Sequence, residues 1–218
     1  MGNCNTVIFD LDGTLLNTLE DLTDATNAAL RKHGKPERSI AEVRRFVGNG
    51  VRLLIERAVP AGTSDAETDE IFADFKEYYA LHCNDKTKPY DGVLEVMKQL
   101  KEAGYRTAIV SNKIDSAVKE LSEIYFKGLA DVAIGERPGV ARKPAADMVE
   151  IALKELGAQK AESVYVGDSE VDYATAVNSG LPCISVLWGF RDRDFLEEKG
   201  AHCFVEDAQS LFLKIKNI

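Results

Sequence analysis

The chain has 218 residues and a formal net charge of −9, and 45% of its residues are hydrophobic. These values are typical of a soluble globular protein and exclude a disordered or low-complexity chain. The net negative charge disfavours a nucleic-acid partner, because proteins that bind nucleic acids carry basic surfaces. No apolar run reaches the ~18–20 residues needed to span a bilayer, and the N-terminus lacks the pattern of a secretory signal. We therefore expect a cytoplasmic protein without a membrane partner.

The predicted elements begin with a short strand at 6–9, whose continuous apolar and β-branched residues indicate burial on both faces. Residues 17–87 then show only helical patterns, including a capping box that opens a helix at Ser39–Glu42. An all-helical stretch placed after a single strand is typical of an inserted module. We predict a helical domain over 17–87 and a second domain formed by 1–16 and 88–218.

From residue 89 onward, helices and strands alternate. The predicted strands are 106–110, 131–134, 163–166, 183–187 and 203–205. Repeated strand–helix units with short links predict an α/β fold, a Rossmann-like parallel sheet with helices on both faces. In such sheets the ligand binds beyond the carboxyl ends of the strands, so the residues that follow each strand are the candidates for function.

Four segments at predicted strand ends or in the adjoining loops carry charged or polar side chains. They are Asp10-Leu11-Asp12-Gly13-Thr14, Ser111-Asn112-Lys113, Arg142-Lys143-Pro144, and Gly167-Asp168-Ser169 with Asp172 shortly after. Each segment alone has an ordinary structural explanation as a turn or a helix start. Independent turns and caps have no reason to fall on successive strand ends, however, so the four segments together indicate one site.

The residue types in these segments indicate phosphoryl transfer. Clustered carboxylates repel one another unless a divalent cation lies between them, and oxygen-only ligands favour Mg²⁺. Asp10 directly follows the buried strand and is the candidate nucleophile, since a carboxylate can attack phosphorus to give an aspartyl-phosphate. Asp12 is the candidate general acid and base. Ser111, Asn112 and Lys143 are candidate donors to the phosphoryl oxygens.

The four segments resemble, in order, the four motifs of the haloacid dehalogenase superfamily in its phosphatase branch, and the match extends over essentially the whole chain. The resemblance implies Mg²⁺ held by the Asp10 carboxylate, the Asp12 backbone carbonyl and Asp168. Asp172 would lie outside these direct ligands, either reaching the metal through water or holding Lys143. The helical insert resembles the small α-helical cap of this family, which closes over the site and excludes water.

Within the superfamily, the segment around Gly48-Asn49-Gly50 resembles the cap of phosphoglycolate phosphatases and their relatives. The resemblance makes these three residues, together with Arg52, candidates to contact the leaving group of the substrate. The alternatives are a simple break between two helices and a solvated arginine. The segment Gly189-Phe190-Arg191 resembles one that is common in bacterial relatives, some of which are pyrophosphatases.

The leading hypothesis is a Mg²⁺-dependent phosphatase for a small phosphate monoester, with 2-phosphoglycolate as the lead candidate. An inorganic pyrophosphatase, or a sugar-phosphate phosphatase or mutase of the same fold, is the alternative. A dehalogenase is disfavoured because Asp12 would have no role in it. A non-catalytic sensor of a phosphorylated ligand is disfavoured because a binder needs no proton donor at Asp12. The expected partner is a small phosphorylated metabolite, and the sequence leaves both a monomer and a homodimer open.

Overall fold

The computed structural model describes residues 4–48 and 50–218. Its internal contacts divide the chain into two compact units. The first, which we call the sheet unit, contains the chain up to Leu16 together with Pro89–Ile218. The second, the helical unit, contains Asn17–Lys88. None of the helices in the described part of the chain combines the length and the apolar character that a membrane span requires.

The strands, in chain order, are β1 (Thr6–Phe9), β2 (Leu16–Asn17), β3 (Lys88–Pro89), β4 (Arg106–Ile114), β5 (Val132–Glu136), β6 (Ser163–Gly167), β7 (Cys183–Val186) and β8 (Phe204–Val205). The α-helices are α1 (Leu19–Lys32), α2 (Ile40–Phe46), α3 (Val51–Ala58), α4 (Asp65–His82), α5 (Val93–Glu102), α6 (Asp115–Tyr125), α7 (Asp147–Leu156), α8 (Glu170–Ser179), α9 (Arg193–Glu198) and α10 (Ala208–Lys216). A 3₁₀ turn at Lys160–Glu162 precedes β6.

A six-stranded parallel sheet with the order β5-β4-β1-β6-β7-β8 forms the centre of the sheet unit. Strand β1 lies between β4 and β6, and its four residues are fully buried. Val7 and Phe9 pack on one face with residues of α5, α6 and α10, whereas Ile8 packs on the other with residues of α7 and α8. The predicted α/β class, with helices on both faces of a parallel sheet, is confirmed.

Strand β4 is longer than its sequence pattern predicts. We expected it to end at Val110, but it continues to Ile114, with an irregular register against β5 between these two residues. The segment Ser111-Asn112-Lys113 therefore lies inside the irregular end of the strand, whereas the prediction placed it directly after the last strand residue. The predicted end was wrong because the polar side chains of this segment end the apolar run while the backbone continues extended.

The helical unit packs α1 to α4 around its own apolar core, which includes Leu30, Ile55, Ile71 and Phe75. The predicted capping box at the start of α2 is confirmed. The Ser39 amide donates to the Glu42 carboxylate at 2.8 Å, and the Glu42 amide donates to the Ser39 hydroxyl at 3.3 Å. The two side chains thus satisfy amides that the first turn of a helix leaves without partners.

Candidate active site

Three aspartates meet at the carboxyl edge of the sheet. Asp10 follows β1, Asp168 follows β6, and Asp172 lies in the first turn of α8. Each can offer one carboxylate oxygen such that the three oxygens lie within 4.8 Å of one another. The Asp10 amide donates to the Val166 carbonyl at 2.9 Å, which extends the β1–β6 pairing by one residue and places Asp10 beside β6. We call Asp10, Asp168 and Asp172 the aspartate cluster.

Lys143 is the positive charge inside this cluster. Its ammonium donates to Asp10 at 2.6 Å, to Asp172 at 2.8 Å and to the Tyr165 hydroxyl at 3.2 Å, and its side chain is 4% exposed. Burial opposes the charged ammonium, but Asp10 and Asp172 outweigh that effect and raise the pKa of Lys143 well above its usual value. One ammonium offsets only one of three carboxylates, so ionisation of all three would leave negative charge buried here.

The pKa values of two cluster aspartates report this excess of negative charge. Burial and the neighbouring Asp172 carboxylate raise the pKa of Asp10 well above its usual range, although Lys143 opposes the effect. Burial and Asp172 also raise the pKa of Asp168 to about 7. Such shifts are typical of functional sites. Because the cluster contains only oxygen ligands and needs positive charge, it fits a hard divalent cation.

Asp12 has a different environment from the aspartate cluster. Its carboxylate accepts hydrogen bonds from the Lys113 ammonium at 2.8 Å and from the Ser111 hydroxyl at 3.3 Å, and it is partly exposed. The side chain is therefore held at the same sheet edge by the irregular end of β4. A carboxylate at this edge that is partly open to solvent can exchange protons with water, which the predicted general acid and base requires.

Asn112 contacts the loop that carries Lys143. Its side-chain nitrogen donates to the Lys143 carbonyl at 3.0 Å, and its side-chain oxygen accepts from the Lys143 amide at 2.8 Å. We expected Asn112 to donate to a phosphoryl oxygen. The observed contacts hold the backbone of Lys143 against the end of β4, and a contact of Asn112 with a phosphoryl oxygen stays a prediction.

The residues predicted to contact the leaving group belong to the helical unit, in the break between α2 and α3 and in α3 itself. Gly48 and Gly50 adopt positive φ angles of 123° and 88° in the break between these helices, and Asn49 lies outside the described residues. Arg52 in α3 pairs with Asp69 at 2.9 Å and lies over the Phe72 ring at 5.7 Å. Arg52 is therefore engaged within its own unit, and a contact of these residues with substrate stays a prediction.

Sequence reasoning missed Lys113 and Tyr165 as members of the site. Lys113 stands in one of the four polar segments at the strand ends, so its proximity to Ser111 was the available signal. No pattern marks Tyr165, because a buried aromatic residue within a strand is typical of core packing. Only the fold shows that its hydroxyl lies 3.1 Å from Asp172 and accepts a hydrogen bond from Lys143.

Comparison with known proteins places the chain in a family. Residues 7–186 match the model of the haloacid dehalogenase-like hydrolases. A phosphoglycolate phosphatase of Mesorhizobium japonicum is 34% identical, with 88% of this chain and 86% of the relative covered. One of Caulobacter vibrioides is 31% identical, with 94% and 89% covered.

The fold comparison agrees with the sequence comparison. A solved protein of Lactobacillus delbrueckii subsp. bulgaricus, named only provisionally as a phosphoglycolate phosphatase, superposes with a TM-score of 0.95 at 36% identity. The superposition covers 99% of this chain and 100% of the other. This chain therefore belongs to the haloacid dehalogenase-like hydrolases, and within that family it is a phosphatase that hydrolyses phosphate monoesters.

Proposed function

We propose that the protein is a Mg²⁺-dependent phosphatase for a small phosphate monoester and that it works through an aspartyl-phosphate on Asp10. The observation that carries this proposal is the buried aspartate cluster, in which three carboxylates lie together and the Lys143 ammonium pairs with two of them, Asp10 and Asp172. We further propose 2-phosphoglycolate as the lead substrate. Its support is the name shared by relatives that are 31–34% identical over most of the chain.

The chain's donor set fits Mg²⁺. We propose that the Asp10 carboxylate, the Asp12 backbone carbonyl and Asp168 hold the ion, while Asp172 fixes Lys143 through their contact at 2.8 Å. When bound, the ion would supply positive charge that lets the phosphate group and the Asp10 carboxylate approach each other. Mg²⁺ is bound through one or two carboxylates together with waters and substrate phosphate, which this set allows.

The proposed reaction has two steps. In the first, an Asp10 oxygen forms a bond to phosphorus while the bond to the leaving oxygen breaks, and Asp12 gives its proton to that oxygen. In the second, Asp12 takes a proton from a water that attacks the phosphorus, which releases phosphate and restores Asp10. Lys143 and Ser111 donate to the phosphoryl oxygens, where negative charge must be stabilised.

We also propose that the helical unit acts as the cap of this enzyme, over residues 17–87 as predicted. In this proposal Gly48, Asn49, Gly50 and Arg52 contact the leaving group and select small substrates. The support is the resemblance of this segment to the cap of phosphoglycolate phosphatases. Gly48 and Gly50 also have positive φ angles, which residues with a side chain rarely adopt.

A phosphate-release screen tests the function. The panel would contain 2-phosphoglycolate, pyrophosphate, sugar phosphates and nucleotides, each with and without Mg²⁺, with the Asp10→Asn variant as the blank. We expect Mg²⁺-dependent release that is fastest with 2-phosphoglycolate. Preference for pyrophosphate or a sugar phosphate would replace the substrate but keep the mechanism. The absence of metal-dependent release from every compound would favour a phospho-ligand sensor.

The intermediate needs its own experiment. The wild-type enzyme would be mixed with the best substrate, quenched in acid during turnover and digested for mass spectrometry. We expect the peptide that contains Asp10 to carry one phosphoryl group, and hydroxylamine to remove it, as an acyl phosphate requires. Turnover without any phosphorylated peptide, or a phosphoryl group on a different residue, would argue against Asp10 as the nucleophile.

A further inference from the structure

The segment that follows β7 contacts the aspartate cluster, and the sequence assigned its residues no specific role in the site. The backbone amide of Phe190 donates to Asp168 Oδ2 at 2.7 Å. Phe190 is 6% exposed and Asp168 is 1% exposed, so this hydrogen bond lies away from bulk solvent. Hydrogen bonds from an amide to a charged carboxylate are among the stronger ones in proteins, and burial strengthens them.

The other oxygen of Asp168 is held from the opposite side. The Thr14 hydroxyl donates to Asp168 Oδ1 at 3.2 Å, and Thr14 is 1% exposed. The indole nitrogen of Trp188 donates to the Thr14 carbonyl at 3.0 Å. Trp188 therefore reaches Asp168 through Thr14, and each Asp168 oxygen accepts one hydrogen bond from a separate segment of the chain.

The backbone between these contacts leaves no room for a side chain at Gly189. A Cβ atom on Gly189 would lie 2.3 Å from the Asp168 Cβ and 2.5 Å from the Gly13 carbonyl oxygen. Beyond Phe190, the Arg191 side chain donates to the Glu170 carboxylate at 2.8 Å, which ties the segment to the start of α8. The segment from 188 to 191 is therefore fixed both to the loop after β1 and to α8.

We infer that Trp188, Thr14 and the Phe190 amide form a clamp that orients the Asp168 carboxylate for binding a divalent cation. The inference rests on the proposed function, and it makes Trp188 and Thr14 positioning residues that act through Asp168. Each oxygen of an ionised carboxylate has two lone pairs, so one is left free on each for the cluster. Groups that orient a metal ligand in this way raise metal affinity, and their loss costs ~10–100-fold.

Three substitutions test the clamp through metal affinity. Thr14→Val removes the hydroxyl but keeps the shape of the side chain, whereas Thr14→Ser keeps the hydroxyl. Trp188→Phe keeps an aromatic side chain but removes the indole N–H donor together with part of the ring. The matched control is Thr107→Val in β4, since Thr107 is also fully buried and its hydroxyl donates to a backbone carbonyl, that of Leu129, at 2.7 Å. An apparent dissociation constant for Mg²⁺ comes from the rise of the melting temperature with MgCl₂ concentration.

We expect Thr14→Val to weaken Mg²⁺ binding by about tenfold or more. Trp188→Phe should weaken Mg²⁺ binding by roughly threefold to tenfold, which corresponds to the net free energy of one hydrogen bond. Thr14→Ser and Thr107→Val should bind as the wild type does. In kinetic assays Thr14→Val should need more Mg²⁺ for half-maximal rate, with kcat at saturating Mg²⁺ changed much less. Trp188 is the single tryptophan of the chain, so its fluorescence gives an independent Mg²⁺ titration of the wild type and the Thr14 variants.

The outcomes separate the two proposals. If Mg²⁺ leaves the melting temperature and the fluorescence of the wild type unchanged, the proposed metal-dependent function fails. If the wild type binds Mg²⁺ and both Thr14→Val and Trp188→Phe bind it equally well, the function stands and the clamp is wrong. A loss of affinity in Thr107→Val as large as that in Thr14→Val would also overturn the clamp, because any buried threonine would then have the same effect.

Discussion

Both units of the molecule contain a buried aspartate, and the partners of the two side chains differ. In the helical unit, Asp21 is 2% exposed and accepts hydrogen bonds from the Lys86 amide, the Thr87 amide and the Thr87 hydroxyl, at 2.7–3.1 Å. In the sheet unit, Asp10 is 5% exposed and accepts from the Lys143 ammonium, beside two more carboxylates.

This difference shows what separates a structural carboxylate from a functional one. Three donors that belong to one short segment satisfy the Asp21 carboxylate, and the result is a link between α1 and the chain just before β3. The aspartate cluster keeps excess negative charge, which destabilises the fold unless a proton or a cation joins it. Both carboxylates are buried, so their hydrogen-bonding and charged partners are what distinguish the candidate active site.

The largest expected effect comes from Asp10→Asn, which removes the proposed nucleophile. Turnover should fall by at least about 1,000-fold, as when a nucleophile is removed from other enzymes. The melting temperature of the metal-free protein should stay the same or rise, because one of three crowded charges is gone. Kinetics and thermal denaturation of the same preparation measure both effects. If a preparation of checked purity retained turnover, Asp10 would not be the nucleophile.

Lys143→Met should produce the largest loss of stability. Removing one partner of a buried ion pair leaves the other charges uncompensated, which costs ~3–5 kcal/mol. Denaturant unfolding of the metal-free protein measures this loss, and added Mg²⁺ should restore part of it. The control is Lys86→Met in the helical unit, since the Lys86 ammonium forms an exposed pair with Asp24. If both variants lost the same free energy of unfolding, the aspartate cluster would not depend on the Lys143 charge as we propose.

The pH dependence of Mg²⁺ binding should follow the raised pKa values of the cluster. The pKa of Asp168 is raised to about 7 and that of Asp10 is also raised, so these two groups bind more protons in the folded metal-free protein than in the unfolded chain. Their contribution to the free energy of unfolding should therefore fall as the pH rises from about 4 to about 7. Mg²⁺ competes with these protons.

Mg²⁺ should accordingly raise the melting temperature more at about pH 8 than at about pH 5. The measurement is thermal denaturation with and without MgCl₂, with NaCl at equal ionic strength as the control. The Asp168→Asn variant should lose the part of this pH dependence that Asp168 contributes. A Mg²⁺ effect of equal size at both pH values would show that the aspartate cluster does not exchange protons for the ion.

The smallest effect should come from Asp21→Asn, and it should affect stability alone. The amide cannot accept all of the hydrogen bonds that the carboxylate accepts, so we expect a loss of ~1–3 kcal/mol. Turnover per folded molecule and the Mg²⁺ dependence should not change. Asp24→Asn, on the same helix with an exposed side chain, is the matched control and should leave the unfolding midpoint unchanged. A large loss of turnover in Asp21→Asn would show that Asp21 is not a purely structural carboxylate.

The sequence alone was sufficient to predict the α/β class and the candidate residues Asp10, Asp12, Lys143 and Asp168. Buried parallel strands have continuous apolar runs, and their polar side chains appear at the strand ends, so the site residues follow readable patterns. The capping box at Ser39 was predictable for the same reason, since it depends on residues three apart in the chain.

Only the tertiary structure decided which of these side chains pair. The end of β4, and with it the contact between Lys113 and Asp12, depends on how that strand lies against β5. Tyr165 reaches Lys143, and Trp188 reaches Thr14, across separations in sequence of 22 and 174 residues. Local sequence patterns encode the burial of a residue and its secondary structure. Partners far apart in the chain are chosen by the packing of whole strands and loops, which no local pattern records.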